Sequence, residues 1–408
     1  MKYLFFFSFF LIGFNAAHAQ RKGVRLKKLV TKNSSASATV PIQMIEIPTG
    51  TFLPESRRDS ASDAERDKIK PILISGFYIS QTEVTNAQYK EFVNWVRDSI
   101  AAKMLGGQYL NVSSANDTAI NWKNASRINY SDPEVVAKLQ DLFLDPSMTI
   151  GQRRTLDPAK LVYLMEGFNY TEAAKRENAG RNPNDFMFRY AVQVYPDTLS
   201  WMRDFGYSNN EQMAVSYYDS PKYQNFPVVG VSWMQANAFC DWMTKHKINT
   251  HQAKSKMAEG GKCRLPTEAE WMYAASLDNG DNPSGEGDGN ARRRGRNDNA
   301  DLVKEKIFPT YVFEGQKGRM GLYNMADNVS EWTITSYYEG AENFQNRFNP
   351  DIQWGTPDSQ SASKRRKVVR GGSWKDSPVL KTTSNRSYED MAAAHSFLGF
   401  RVVVNLPQ

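Results

Sequence analysis

Three stretches of the chain open on the same polar signature and continue with apolar residues at helical spacing. Thr85-Asn-Ala-Gln88 has the capping-box form, and Tyr89, Phe92, Val93 and Val96 follow at i, i+3, i+4 and i+7, which predicts an amphipathic helix with a marked start. Ser232-Trp-Met-Gln235 repeats the box, with Trp233, Ala236, Cys240 and Met243 along one predicted buried face; Thr267-Glu-Ala-Glu270 repeats it before Trp271-Met-Tyr-Ala-Ala275. Two β-rich runs precede these helices. Met44 to Phe52 reads as a strand ending in a turn punctuated by Pro48 and Gly50, and Ile72 to Ile79 reads as a second strand. The charged stretch Ser56 to Lys70 between them is predicted to be a loop.

Elsewhere the pattern is less regular. Gln20 to Val40 is basic and then rich in Ser, Thr and Ala, without periodicity, so residues 20–40 are expected to be a flexible arm and the globular part to begin near Pro41. Residues 100–226 mix short apolar clusters, Leu161 to Met165 and Phe186 to Val192 among them, with Tyr, Asn and Asp. That apolar content predicts an ordered insertion packed on the main domain. Residues 280–299, rich in Gly, Asp and Asn and carrying Arg292-Arg-Arg-Gly-Arg296, are expected to form a long loop.

Charge changes the picture through its location. The chain has 51 basic and 44 acidic residues, a net charge of +7, and Lys2, Arg21, Lys22, Arg25, Lys27, Lys28 and Lys32 precede the first acidic residue, Glu46. These seven account for the whole surplus. The basic balance therefore reflects a short arm and not a charged groove, and no nucleic-acid partner is expected. Residues 1–19 read as a secretory signal: Lys2, an apolar run from Tyr3 to Phe14, and Ala17-His-Ala19 as a small-x-small cleavage site. The run is shorter than the roughly 20 residues that cross a bilayer. A periplasmic protein beginning at Gln20 is expected, and with Gln and not Cys at that position no lipid anchor is encoded there. The two cysteines past the signal, Cys240 and Cys263, leave two readings open, a buried free thiol or a 240–263 disulfide.

Six motifs then converge on one family. Glu83-Val-Thr-Asn86, Pro227 to Trp233, Arg264-Leu-Pro-Thr-Glu-Ala-Glu-Trp271, Gly321 to Trp332, Arg370-Gly-Gly-Ser-Trp374 and Gly399-Phe-Arg401 occur in the order of the formylglycine-generating enzyme (sulfatase-modifying factor) domain, which the chain resembles over residues 41–405. The resemblance implies an α+β fold related to C-type lectins, with modest regular secondary structure and bound calcium. A narrower resemblance lies within it. Phe92 to Ile100, Tyr195 to Trp201, Arg203 to Tyr207 and Lys367 to Asp376 look like the gliding-motility and type IX secretion ring protein K group of Bacteroidetes. That resemblance implies a non-enzymatic periplasmic ring component paired with a ring protein N. It also implies self-association into a ring and a place beneath the outer membrane, where Gln20 would leave this chain peripheral.

The chemistry implied by the wider family uses two thiols shortly after the Arg-Gly-Gly-Ser motif to hold copper and engage a substrate cysteine. Counting on from Ser373 puts Asp376 and Lys381 at those positions, and no Cys occurs after Cys263. Oxygen and ammonium groups do not suit Cu(I), so neither copper nor formylglycine-generating activity is expected. His246 and His251 are five residues apart and do not share a helical face as paired metal ligands do. The best ion site is the turn Asn328-Val329-Ser330-Glu331, where a side-chain amide, main-chain carbonyls and a carboxylate could offer calcium its several oxygens. The alternative is an Asn and a Glu that cap the turn and pair with arginine. Arg264, Glu270, Trp271, Arg370, Trp374 and Arg401 are expected to make internal Arg–carboxylate and Arg–aromatic contacts, the other reading being a ligand pocket lined by Trp332, Trp374 and Arg401. The expected function is a scaffold in a secretion or motility ring; the alternative is an exported glycan- or peptidoglycan-binding module.

Overall fold

In the computed structural model of the protein, which describes residues 42–54, 71–112, 118–149, 154–206, 210–248, 261–279, 308–315, 317–339, 346–354, 356–357, 359 and 361–405, each expected early strand is two strands. The signal, the arm, the 56–70 and 280–299 loops and His251 lie outside the described residues. Met44–Ile47 (β1) stops at Pro48, which has no N–H to give a ladder, and Gly50–Phe52 (β2) resumes after it. Ile72–Ile74 (β3) and Phe77–Ser80 (β4) are likewise separated at Ser75-Gly76. Both corners are held from outside the strands: the Tyr273 hydroxyl donates to the Pro48 carbonyl, and the Gly76 N–H donates to the Thr49 hydroxyl. A Cβ on Gly50 would lie 2.3 Å from that Tyr273 oxygen, so the position admits only glycine without a shift. β1 then pairs with β4, and β2 with β3, both antiparallel.

The three capping boxes each start a helix. Asn86–Leu105 (α1) and Trp233–Met243 (α4) have both reciprocal bonds of the box. Glu268–Asn279 (α5) has them between Thr267 and Glu270. Between α1 and α4 run a short hairpin, Leu110–Val112 (β5) with Thr118–Ile120 (β6), a longer one, Val162–Phe168 (β7) with Met187–Gln193 (β8), and the short helices Ser200–Asp204 (α2) and Glu211–Ser216 (α3). Past α4 come Cys263–Arg264 (β9), Ser330–Ser336 (β10), Arg366–Arg370 (β11), Arg386–Asp390 (β12), Leu398–Gly399 (β13) and Val403–Asn405 (β14). They build two four-stranded sheets, in the orders β1-β4-β14-β9 and β12-β11-β10-β13, the second with β10 and β13 parallel.

The main core lies where α1 and α4 face each other. Tyr89 stacks on Phe239 at 5.7 Å, Phe92 tilts against Trp242 at 5.4 Å, and Phe400 closes on Phe239 at 5.5 Å. Residues between Ile100 and Pro227 enter this core. Tyr163, Met165 and Val192 on one face of the β7–β8 hairpin are buried in it, the Tyr163 hydroxyl donates to Asp241 at 2.7 Å, and Tyr89 donates to the Val194 carbonyl at 2.9 Å. The opposite hairpin face carries Leu164 and the Glu166–Arg189 ion pair and is open to solvent.

Candidate functional site

Arg401, which sits between β13 and β14, is the hub of a polar cluster with no exposed surface. Its Nε and Nη2 donate to the two oxygens of Glu331 at 2.6 and 2.7 Å, and its remaining nitrogen contacts reach the carbonyls of Ser80 and Tyr323 at 3.1 and 2.9 Å. Trp271 on α5 donates its indole N–H to Glu331 at 2.7 Å. Burial is the largest single influence and opposes the arginine's charge, but the surrounding carboxyl groups, Glu331 foremost, together outweigh it and raise the guanidinium's pKa. A second buried carboxyl, Glu83, stands beside this pair and accepts from the side-chain amides of Asn328 at 2.9 Å and Asn324 at 3.0 Å. Burial pushes Glu83 up to about 8, with Arg401 opposing and Glu331 adding to the rise. At neutral pH the cluster is thus one ion pair beside one protonated acid. That arrangement explains how two glutamates share one arginine where an uncompensated charge would be very costly.

Asn324 and Asn328 both take the left-handed backbone conformation, φ 60° and 73°, which Asn tolerates better than branched residues. Asn328 commits both of its oxygens and its side-chain amide within the protein. Its Oδ1 accepts from the Thr310 N–H at 2.9 Å, its side-chain amide donates to Glu83, and its main-chain carbonyl accepts from the Trp374 N–H at 2.8 Å. Val329 is buried with Trp201 and Trp374. The residues expected at the calcium site are therefore adjacent, but as arranged they do not fit the ion, which needs several oxygens free together. Both Glu331 oxygens and the Asn328 oxygens already accept from protein donors. The geometry is that of a capped turn paired with arginine.

The turn after the Arg-Gly-Gly-Ser motif is equally committed. Asp376 accepts from the Ser373 N–H and hydroxyl at 2.8 and 2.7 Å, and Lys381 pairs with Asp327 at 3.1 Å. Chain 380–381 passes so close to Gly372 that a Cβ there would lie 2.6 Å from the Lys381 Cα and 2.7 Å from the Leu380 carbonyl oxygen. Trp374 is covered by Trp201 of α2, stacked at 5.7 Å and 21°, and by Phe205 at 5.0 Å. Asp204 fastens this cover by accepting from the Ser396 N–H and hydroxyl at 2.7 and 2.9 Å and bonding His395 Nδ1 at 2.8 Å. Bonds to Asp204 and Glu389 raise His395 to about 9.

The other motif residues make internal contacts. Arg264 grips Glu270 with two bonds of 2.6 and 2.7 Å, and Arg370 lies 5.5 Å over the Trp271 ring. Trp332, Trp374 and Arg401 are all buried, so they line no open pocket among the described residues. His246 lies against the Trp95 ring at 4.3 Å. Two features had no signal of their own. The Asp204–His395 clamp joins residues 191 apart in the chain. Lys367 is buried over the Trp233 ring at 4.3 Å, donates to Ser336 at 3.0 Å, and is held down to about 8 by burial. Among the described residues no group of three or more His, Cys, Asp or Glu is arranged to hold a metal ion, and no helix is long and apolar enough to cross a membrane.

An α+β fold organised around this buried Arg–Glu–Trp hub, with the Arg-Gly-Gly-Ser-Trp turn beside it, defines the class of protein. The chain belongs to the sulfatase-modifying factor enzyme 1-like domain family, whose model matches residues 30–406. It is 30% identical over 185 residues to the serine/threonine-protein kinase Pkn1 of Chlamydia trachomatis serovar L2, covering 44% of this chain and 24% of that protein. It is 29% identical over 171 residues to the inactive C-alpha-formylglycine-generating enzyme 2 of Bos taurus, covering 37% of this chain and 39% of that one. The match thus spans well under half the length of either relative. PvdO from Pseudomonas aeruginosa aligns over 92% of this chain and 100% of its own at 14% identity and a TM-score of 0.41; CarF aligns over 90% and 99% at 16% and 0.42.

Proposed function

We propose that this chain is a non-catalytic member of its family: a periplasmic scaffold in the ring of a type IX secretion or gliding-motility machine. It assembles with a ring protein N-type partner and with further copies of itself, on the inner face of the outer membrane. The observation that carries the non-catalytic part is the turn after Ser373. The positions that resemblance gives to the two thiols hold Asp376 and Lys381, each already engaged by a neighbouring side chain. Relatives of the chain include inactive formylglycine-generating-like proteins, which is compatible with this reading.

The ring role rests on the resemblance of Phe92 to Ile100, Tyr195 to Trp201, Arg203 to Tyr207 and Lys367 to Asp376 to the ring protein K group. Between α1 and α4 in the chain, Leu164, Leu199 and Val215 are 67%, 63% and 67% exposed, and the proposal gives these apolar side chains the contact with the partner. A tagged pull-down from the native periplasm tests the proposal. A scaffold brings down a stoichiometric protein partner, and Leu164→Asp with Val215→Asp weakens the complex while the Tm is kept. Recovery of the chain with glycan and no protein partner would replace this reading with the lectin-like one.

A further inference from the structure

The two cysteines take no part in the cluster around Arg401. Cys240 lies in the last turns of α4 and Cys263 begins β9, each with 2% of its surface exposed. Both belong to the same cluster of buried side chains in the main core. The Thr244 hydroxyl ties the same spot together: it donates to the Cys240 carbonyl at 2.9 Å and accepts from the Cys263 N–H at 2.9 Å. β9 is itself anchored to β14, with Cys263 opposite Val404. One hydroxyl thus bridges the two cysteines' backbones at the end of α4, and both thiols are reduced in this structure.

We infer that Cys240 and Cys263 are a redox pair, closing to an intramolecular disulfide when the chain folds in the presence of a small disulfide oxidant such as oxidised glutathione. The step balances by thiol–disulfide exchange. The thiolate of one cysteine attacks the external disulfide and releases one glutathione thiol. The second thiolate then attacks the mixed disulfide, forming the Cys240–Cys263 bond and releasing the second glutathione. Two electrons pass from the protein to the oxidant, and the two cysteine protons end on the two released thiols. Burial, and then the contact with Cys263, raise the Cys240 thiol well above its ordinary range, so the closed fold protects the pair. Oxidation belongs to folding, before the core excludes the reagent. The bond would tie α4 to β9 across the segment 241–262 and stabilise the fold chiefly by restricting the unfolded chain.

The inference does not depend on export or on the ring role, since it is tested on purified protein. The full chain is unfolded in reductant, refolded with either oxidised or reduced glutathione, denatured, treated with N-ethylmaleimide and weighed. The oxidised sample should add no maleimide, weigh two hydrogens less than the reduced chain and yield a peptide linking Cys240 to Cys263. The reduced sample should add two maleimides and melt several degrees lower. Two maleimides on the chain refolded with oxidised glutathione would overturn the inference. So would glutathione adducts or chain-to-chain disulfides in place of the internal bond.

Discussion

Glu331 shows how much of this molecule depends on single buried charges. It has 1% exposure and accepts three bonds from Arg401 and Trp271. Glu331→Gln leaves the arginine without its counter-charge and should cost about 3–5 kcal/mol, measured by denaturant unfolding. Because those oxygens serve the protein and not an ion, chelation with EDTA should leave the wild-type Tm unchanged; a fall of several degrees would restore calcium to this turn. Glu83 carries a pH signature. Its carboxyl is near 8 in the fold against an ordinary 4.5, so its contribution to stability is complete below about 4.5 and lost as the pH rises through about 8. Glu83→Gln mimics the protonated acid, so the Tm of the variant minus that of wild type should climb from pH 5 to pH 9. A flat difference would mean that Glu83 is ionised throughout.

At the scale of elements, α2 is held by side chains and not by a ladder. Trp201 is buried on Trp374, Arg203 donates to the Ala394 carbonyl at 2.7 Å, and Asp204 holds Ser396 and His395. Trp201→Ala should cost about 3 kcal/mol. Since the remaining contacts of α2 are polar and partly open, amide exchange should accelerate in α2 and α3 well before α1, which is packed on the main core. Uniform acceleration would show that α2 and the core unfold as one unit. The capping boxes made the starts of α1, α4 and α5 legible, because a cap is decided within four residues. The corners at Pro48 and Ser75-Gly76 were less so: Tyr273 and Asn349, which hold them, come from about 200 residues or more further along the chain.

For the whole molecule, the absence of thiols after Cys263 leads to a direct expectation. Purified protein should neither oxidise a sulfatase-type cysteine peptide above a buffer control nor retain Cu(I) against a competing chelator. Turnover of that peptide would end the non-catalytic reading, whatever the pull-down shows.

Local pattern and ordered motifs were enough to determine the family, the helix starts and the loss of the thiols, since each depends on residue identity at short spacing. The tertiary structure decided what the motif residues do. Asn328 and Glu331 read as ion ligands in a tight turn, but their partners Glu83, Thr310, Trp271 and Arg401 lie up to 245 residues away in the chain. A carboxylate oxygen's role is set by which donors the fold holds within reach, and here they are an arginine and an indole. The same holds for the cysteines, which sequence left as either free or bonded: the Thr244 hydroxyl and the pairing of β9 with β14 are what set Cys263 beside Cys240.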